Sequence, residues 1–167
     1  MLEYKVNFAE NDGRAEAYRT LEALLCGCLG EKGTELFLGL YKDENGKPCL
    51  PDESGLFVSI SHTAHFGAAA IASSPVGIDV EEIAPLDEKK KALLERFFAN
   101  EDISAAQTDP AGREFYRFWT RREAAFKAFA EVPFYSADPT AGNADKIMTY
   151  FQTAADREIV ISVACAR

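Results

Sequence analysis

The run VGIDVE at residues 76–81 places two carboxylates within an apolar segment and strongly constrains the fold around it. Side chains alternate between the two faces of a strand, so Asp79 and Glu81 are predicted on one face while Ile78 and Val80 face a core. Two neighbouring carboxylates repel each other unless a cation lies between them, and Mg²⁺ with oxygen ligands suits such a pair. An edge strand with a solvated acidic face is the alternative interpretation.

The composition is that of a folded globular protein, with 167 residues of which 47% are hydrophobic and 11% aromatic. This length allows one domain or two small halves packed together. The formal charge of −9 argues against a nucleic-acid partner, because such binding needs many basic residues facing phosphates. The apolar runs are too short to span a bilayer and the N-terminus lacks a signal-peptide pattern. We therefore expect a cytoplasmic monomer with no membrane partner.

The hydrophobic pattern predicts an α+β fold. Alternation over 2–8 predicts a strand, and helical spacing over 14–29 predicts an amphipathic helix. Further strands are predicted at 35–41, 56–61, 66–72, 76–81, 147–151 and 158–164, and further helices at 86–98, 100–106 and 113–130. A helix with about three strands on either side of Pro75 predicts two similar halves, 1–75 and 76–167. The four cysteines lack paired spacing and are expected to be reduced packing residues.

Further polar residues stand where chemistry is plausible. Glu123 and Lys127 lie four apart in the long predicted helix, a spacing typical of an intrahelical ion pair, although Glu123 could also give the strand carboxylates a third oxygen ligand. His62 stands where a strand meets a polar turn, and it either bonds local backbone or acts at a site. Lys47 lies in a stiff Gly-Lys-Pro turn, which suits either a solvated lysine or a phosphate-binding one.

Four motifs together resemble those of the 4′-phosphopantetheinyl transferases, specifically the pseudo-dimeric type that activates surfactin-like peptide synthetases. They are GKP at 46–48, SISHT at 59–63, GIDVE at 77–81 and FYRFWTRREAAFK at 115–127. The resemblance implies two similar α+β halves with the active site in the cleft between them. It also implies Mg²⁺-dependent transfer of 4′-phosphopantetheine from coenzyme A to a serine hydroxyl of an acyl or peptidyl carrier protein, releasing adenosine 3′,5′-bisphosphate.

The same resemblance gives roles to individual residues. Mg²⁺ is expected on Asp79, Glu81 and Glu123, and Glu123 is also the expected base for the carrier serine. Coenzyme A is expected to meet His62 at a phosphate, Lys47 at its 3′-phosphate and Lys127 at the pyrophosphate. Glu123, Lys127 and His62 are therefore the catalytic candidates.

Some expected features of the family differ in this sequence. Most of the family's basic N-terminal region is missing, and Arg14 and Arg19 are the nearest candidates for the phosphate contact that it would supply. Arg122 replaces the usual lysine before Glu123, which rules out a neutral lysine acting as the base. Two other functions stay open: binding of coenzyme A or a carrier protein without catalysis, and a different Mg²⁺-dependent phosphotransferase or phosphohydrolase.

Docking of an acidic carrier protein requires a local basic surface, because the net charge of −9 opposes the encounter. The predicted surface consists of six residues on two helices: Lys89, Lys90, Lys91, Arg113, Arg117 and Arg121. The loop at 132–142 is the alternative docking region.

Overall fold

The computed structural model describes residues 1–98, 100–129, 140 and 144–166. Up to residue 72 the elements are β1 (Leu2–Phe8), α1 (Gly13–Leu29), α2 (Glu31–Leu38), β2 (Tyr41–Lys42), β3 (Pro48–Cys49), a 3₁₀ turn (Asp52–Ser54), β4 (Phe57–His62) and β5 (Phe66–Ala72). They are followed by β6 (Val76–Glu82), α3 (Glu88–Phe97), α4 (Asn100–Gln107), α5 (Arg113–Phe129), a 3₁₀ turn (Ala144–Lys146), β7 (Ile147–Ala154) and β8 (Arg157–Cys165). This arrangement confirms the α+β class.

Two three-stranded antiparallel sheets share one strand order. The first sheet has the order β1-β5-β4 and the second has the order β6-β8-β7, while β2 and β3 form a separate hairpin. In both sheets the last strand of the set is central, and helices separate the first strand from the other two. This repeated topology supports two similar halves, which we propose with their boundary near Pro75.

The main core lies between the two sheets. Its members are at most 4% exposed and alternate along β5, β6 and β8: Phe66, Ala68, Ala70, Ala72, Val76, Ile78, Val80, Ile159, Ile161 and Val163. The other face of β5 packs on α1 through Ala69 and Ile71, and α5 packs on β6 and β8. Because strand side chains alternate, the residues of β6 between its core positions face α5.

Strands β4 and β6 meet along a seam that serine hydroxyls hold together. Strand β6 lies at the edge of its sheet, so its outward N–H groups need acceptors. The backbone N–H of Ile78 donates to Ser59 Oγ at 3.0 Å, and that of Val80 donates to Ser61 Oγ at 3.3 Å. Both serines are buried. The two sheets are therefore joined here through side chains.

Two sequence predictions are corrected by the structure. Residues 35–41 were predicted as a strand, but 35–38 belong to α2 and only Tyr41 begins a strand. Helix α2 packs closely on α1 at Gly33. A Cβ on this residue would be 2.1 Å from the carbonyl oxygen of Leu25, so only glycine permits the approach. The cysteines are less buried than expected for packing residues, since three are half-buried and Cys28 is exposed.

Some predictions fall outside the described residues. These include the last position of the helix predicted at 113–130 and every residue of the loop at 132–142 except Thr140. Among the helices that the structure describes, none is long and apolar enough to cross a membrane.

Glu82 holds the bend between β4 and β5 against β6. Its carboxylate accepts a hydrogen bond from Thr63 Oγ1 at 2.6 Å, lies 3.0 Å from His65 Nδ1 and pairs with Arg157 at 2.8 Å. Partial burial raises the pKa of Glu82, but the contacts with Thr63, His65 and Arg157 outweigh burial and hold that pKa below its ordinary value. These contacts, which we call the Glu82 clamp, therefore fix the bend that follows His62.

We expect Glu82→Gln to lower the free energy of unfolding at neutral pH by roughly 1–2 kcal/mol, because the amide loses charge-assisted bonds that partial exposure already screens. A lowered pKa means that the folded state favours the charged carboxylate. This contribution is therefore present above the ordinary carboxyl pKa and is lost as the pH falls through the lowered pKa. Urea unfolding of both proteins across the acidic range should show the difference shrinking, and a difference independent of pH would contradict the clamp.

Candidate active site

Asp79 and Lys127 form the centre of the site. Lys127 Nζ donates to Asp79 Oδ1 at 2.8 Å and to the carbonyl oxygen of Ile78 at 3.0 Å. Ser61 Oγ donates to the same Asp79 Oδ1 at 2.8 Å. Asp79 is 5% exposed, and its Oδ2 is buried without a hydrogen-bond partner among the described residues. A buried carboxylate oxygen is destabilising in that state, so Oδ2 suits a further cation or donor.

Close packing of α5 on β6 brings the helix residues to this point. A Cβ on Gly77 would lie 2.0 Å from the carbonyl oxygen of Ala124, so the missing side chain lets the helix backbone lie directly on the strand. Glu123 and Lys127 lie one helical turn apart and face the same side of α5. Gly77 therefore allows both side chains to reach the carboxylates of β6.

The three carboxylates predicted to hold Mg²⁺ interact electrostatically. Burial raises the pKa of Glu81 to about 7, repulsion from Asp79 and Glu123 adds to the increase, and Lys127 opposes it. Burial and Asp79 also raise the pKa of Glu123. Within the described ranges, however, no three His, Cys, Asp or Glu side chains are arranged to hold a metal ion. The cluster therefore concentrates negative charge that suits a divalent cation, without a completed ligand geometry.

Lys47 is held by the turn between β2 and β3 and by the end of α5. The side chain of Asp43 accepts hydrogen bonds from the backbone N–H groups of Asn45 and Lys47, at 2.9 and 2.8 Å. Gly46 has φ 79°, a conformation that favours glycine. Lys47 Nζ donates to the carbonyl oxygen of Lys127 at 2.8 Å. The turn therefore holds this ammonium beside the last turn of α5.

A cavity of about 930 Å³ opens next to these residues. Its size lies in the range of small-molecule sites in proteins. The lining comes from α1, the β2–β3 turn, β4 and α5, and includes Arg14, Tyr18, Lys47, His62, Glu123 and Lys127. The cavity thus lies between elements from both sides of Pro75.

The structure brings five of the predicted site residues to the lining of one cavity, namely Arg14, Lys47, His62, Glu123 and Lys127, while Asp79 and Glu81 do not line it. Arg19 does not line this cavity, and its exposed guanidinium pairs with Glu16 at 2.8 Å, so the geometry does not support its predicted phosphate contact. Arg122 is buried with its guanidinium 5.7 Å from the ring of Phe97, beside a different cavity from the one that Glu123 lines. Arg122 therefore does not line the cavity that Glu123 lines.

Sequence reasoning did not single out Ser61, Tyr18 or Phe126 as site residues. Tyr18 and Phe126 stand at apolar positions of the helices predicted at 14–29 and 113–130, yet both also line the cavity. Ser59 and Ser61 alternate with Val58 and Ile60, so the sequence pattern predicts them on the polar face of the strand, whereas the structure buries both. Buried hydroxyls at such positions indicate nearby groups that need hydrogen-bond partners.

The basic surface predicted for carrier docking is largely neutralised. Four of its six cations have a carboxylate partner: Lys90 with Asp87, Lys91 with Glu88, Arg113 with Glu158 and Arg117 with Glu114. A fifth, Arg121, donates to Thr149 Oγ1 at 3.2 Å. The positive field over these helices is therefore weaker than the sequence suggests, and carrier docking on them stays a prediction.

Comparison with known proteins places this site in a family. Residues 75–138 match the family model described as the 4′-phosphopantetheinyl transferase superfamily. This segment contains β6 with its carboxylates and the whole of α5. The chain belongs to this superfamily, which confirms the resemblance of the sequence motifs.

The relatives include three named 4′-phosphopantetheinyl transferases. Ffp of Bacillus subtilis is 36% identical over 87 residues, which are 50% of this chain and 38% of Ffp. Sfp of Bacillus subtilis strain 168 is 33% identical over 87 residues, with the same two shares. HetI of Nostoc sp. is 33% identical over 130 residues, which are 72% of this chain and 53% of HetI. The chain thus spans about half or less of the length of these relatives.

Proposed function

We propose that this protein transfers the 4′-phosphopantetheine group of coenzyme A to a serine hydroxyl of an acyl or peptidyl carrier protein. The reaction would depend on Mg²⁺ and release adenosine 3′,5′-bisphosphate. The proposal includes the cytoplasmic location and monomeric state expected from the sequence. Family membership supports the type of reaction, and the cavity beside Asp79 supports its place in the molecule.

The observation that carries the proposal is an ammonium at the wall of a ligand-sized cavity, paired with a buried carboxylate that does not itself line the cavity. Lys127 Nζ lies 2.8 Å from Asp79 Oδ1. The side chains of Lys127, Lys47 and His62 line the cavity. A ligand rich in phosphates needs cationic groups and hydrogen-bond donors in fixed positions. These three side chains suit the phosphates of coenzyme A.

The chemistry of the carboxylates fits Mg²⁺, a hard cation that prefers oxygen ligands. Asp79 Oδ2 is buried without a hydrogen-bond partner within the part of the chain that is described, and Glu81 and Glu123 lie in electrostatic range of Asp79. We assign Asp79, Glu81 and Glu123 as the residues that would hold the ion. When bound, Mg²⁺ would supply charge stabilisation for phosphate oxygens.

The protein side chains would orient the substrates and move one proton. Glu123 lines the cavity, and burial raises its pKa above the ordinary carboxyl value, which makes the carboxylate a better base for a serine hydroxyl. Lys127 is held in place by Asp79 and Ile78, so its ammonium is already oriented when charge develops on the leaving phosphate. Lys47 and His62 would bind the remaining phosphates of coenzyme A.

The function is tested by incubating apo carrier proteins of fatty-acid, polyketide and peptide synthesis with this protein, coenzyme A and Mg²⁺. Intact-mass spectrometry should show a gain of one phosphopantetheine group on at least one carrier, and chelation of Mg²⁺ should remove that gain. Coenzyme A binding without any mass gain would favour the binding-only function. Phosphate release from another substrate without carrier modification would favour a different phosphotransferase or phosphohydrolase.

Lys47→Ala should weaken binding of coenzyme A at least about tenfold more than binding of 3′-dephospho-coenzyme A, because one charge-assisted contact contributes roughly 1.5–3 kcal/mol. The dephosphorylated ligand is the internal control, since loss of the bond between Lys47 and the end of α5 affects both ligands equally. Calorimetric titration measures both affinities. Equal weakening would restrict Lys47 to a structural role in the turn.

A further inference from the structure

We infer that Ser61 is a positioning residue that orients the Asp79 carboxylate for a divalent cation, a role that rests on the proposed Mg²⁺ site. Ser61 is buried on β4 and belongs to the seam rather than to the carboxylate cluster itself. Its hydroxyl reaches across the seam to Asp79 Oδ1 at 2.8 Å. Ser61 also lines the cavity, but towards the cation it would act through Asp79.

The orientation of the Ser61 hydroxyl follows from its two hydrogen bonds. A serine hydroxyl carries one proton, and its oxygen can also accept. The backbone N–H of Val80 donates to Ser61 Oγ, while the hydroxyl proton goes to Asp79 Oδ1. Val80 directly follows Asp79, so Ser61 forms hydrogen bonds with both the backbone and the carboxylate of one short stretch of β6.

This arrangement places two donors on the same carboxylate oxygen. Ser61 and Lys127 both donate to Oδ1 at 2.8 Å, and Oδ2 is left buried without a partner among the residues described. Without Ser61, the carboxylate could rotate so that both oxygens face Lys127. Ser61 therefore keeps Oδ2 available to a cation.

Ser59 provides a matched comparison on the same strand. It is buried, lies two residues from Ser61 and accepts the backbone N–H of Ile78 at 3.0 Å. Its hydroxyl makes no bond to a carboxylate among the described residues. Replacing either serine by alanine leaves one buried N–H of β6 without its acceptor, but only the change at Ser61 releases Asp79.

The test measures the binding of Mn²⁺ to the full chain without coenzyme A, by electron paramagnetic resonance. Mn²⁺ serves as a spectroscopic substitute for Mg²⁺. Ser61→Ala should raise the dissociation constant for Mn²⁺ by about 10- to 100-fold, the usual effect of removing a group that orients a metal ligand. Ser59→Ala should keep an affinity close to that of the wild type. Ser61→Thr, which retains the hydroxyl, should restore most of the lost affinity.

The outcomes separate this inference from the proposed function. A wild-type protein that binds no Mn²⁺ overturns the proposed metal site. Wild-type binding with equal affinities for Ser61→Ala and Ser59→Ala overturns the positioning role alone. If Ser61→Ala does not fold, Ser61→Cys replaces it, because a thiol donates hydrogen bonds only weakly. This variant should show the same loss of Mn²⁺ affinity. Unchanged affinity would overturn the positioning role as well.

Discussion

Asp79→Asn should lower the rate of phosphopantetheine transfer by at least about 100-fold at saturating coenzyme A. The amide keeps the size of the side chain and can still accept from Ser61 and Lys127, but it removes the charge that would hold Mg²⁺. Raising the Mg²⁺ concentration should recover part of the activity, because the remaining carboxylates bind the ion weakly. Steady-state transfer to an apo carrier protein, followed by mass spectrometry, measures the effect.

The matched control is Glu158→Gln, which neutralises a carboxylate on the neighbouring strand β8 that pairs with Arg113. Both changes remove one negative charge, but Glu158 lies outside the cluster, so transfer should stay near the wild-type rate. Circular dichroism verifies that both variants fold. Near-normal turnover of Asp79→Asn at limiting Mg²⁺ would show that Asp79 does not hold the ion.

Lys127→Ala should lower the free energy of unfolding by about 3 kcal/mol, because it leaves a buried carboxylate without its cationic partner. Asp79 and Lys127 side chains are only 7% and 25% exposed in this pair. The variant also loses the ammonium proposed to face the pyrophosphate, so transfer should be lost in fully folded protein too. Urea unfolding gives the stability, and activity is measured at temperatures where the variant is folded.

Lys91→Ala is the control for the ion pair itself. The Lys91–Glu88 pair has the same 2.8 Å distance, but its side chains are 53% and 89% exposed. Solvent screens such a pair, so its loss should leave the stability nearly unchanged. If Lys127→Ala and Lys91→Ala had the same small effect, the environment of Asp79 would be far more polar than the structure indicates.

The sequence alone predicts the elements whose hydrophobic periodicity matches the face that they bury. Strand β1 and helix α1 follow their predicted spans to within one residue, because alternation and helical spacing each match one buried face. The strand carrying Asp79 and Glu81 was predicted for the same reason. Four motifs in family order then supplied the superfamily, which periodicity alone cannot give.

Other parts of the structure depend on contacts that hydrophobic periodicity does not show. Helix α2 was mistaken for a strand because its apolar residues at 36–38 are consecutive, while the contact that favours a helix is the approach of Gly33 to Leu25. Helical spacing predicts an ion pair of Lys127 with Glu123, yet Lys127 bonds Asp79 on another element, 48 residues away. The contact between Lys127 and Asp79 lies outside any local window of sequence, and the approach of Gly33 to Leu25 depends on how two successive helices pack.

The two serines of the seam also set a register. Strands β4 and β6 belong to different sheets, so their alignment depends on Ser59 meeting Ile78 and Ser61 meeting Val80. A slip of two residues would move His62 by about 7 Å along β6, since each strand residue advances roughly 3.3 Å. These two hydroxyl groups therefore determine how far His62, on one sheet, lies from Asp79 and Glu81, on the other sheet.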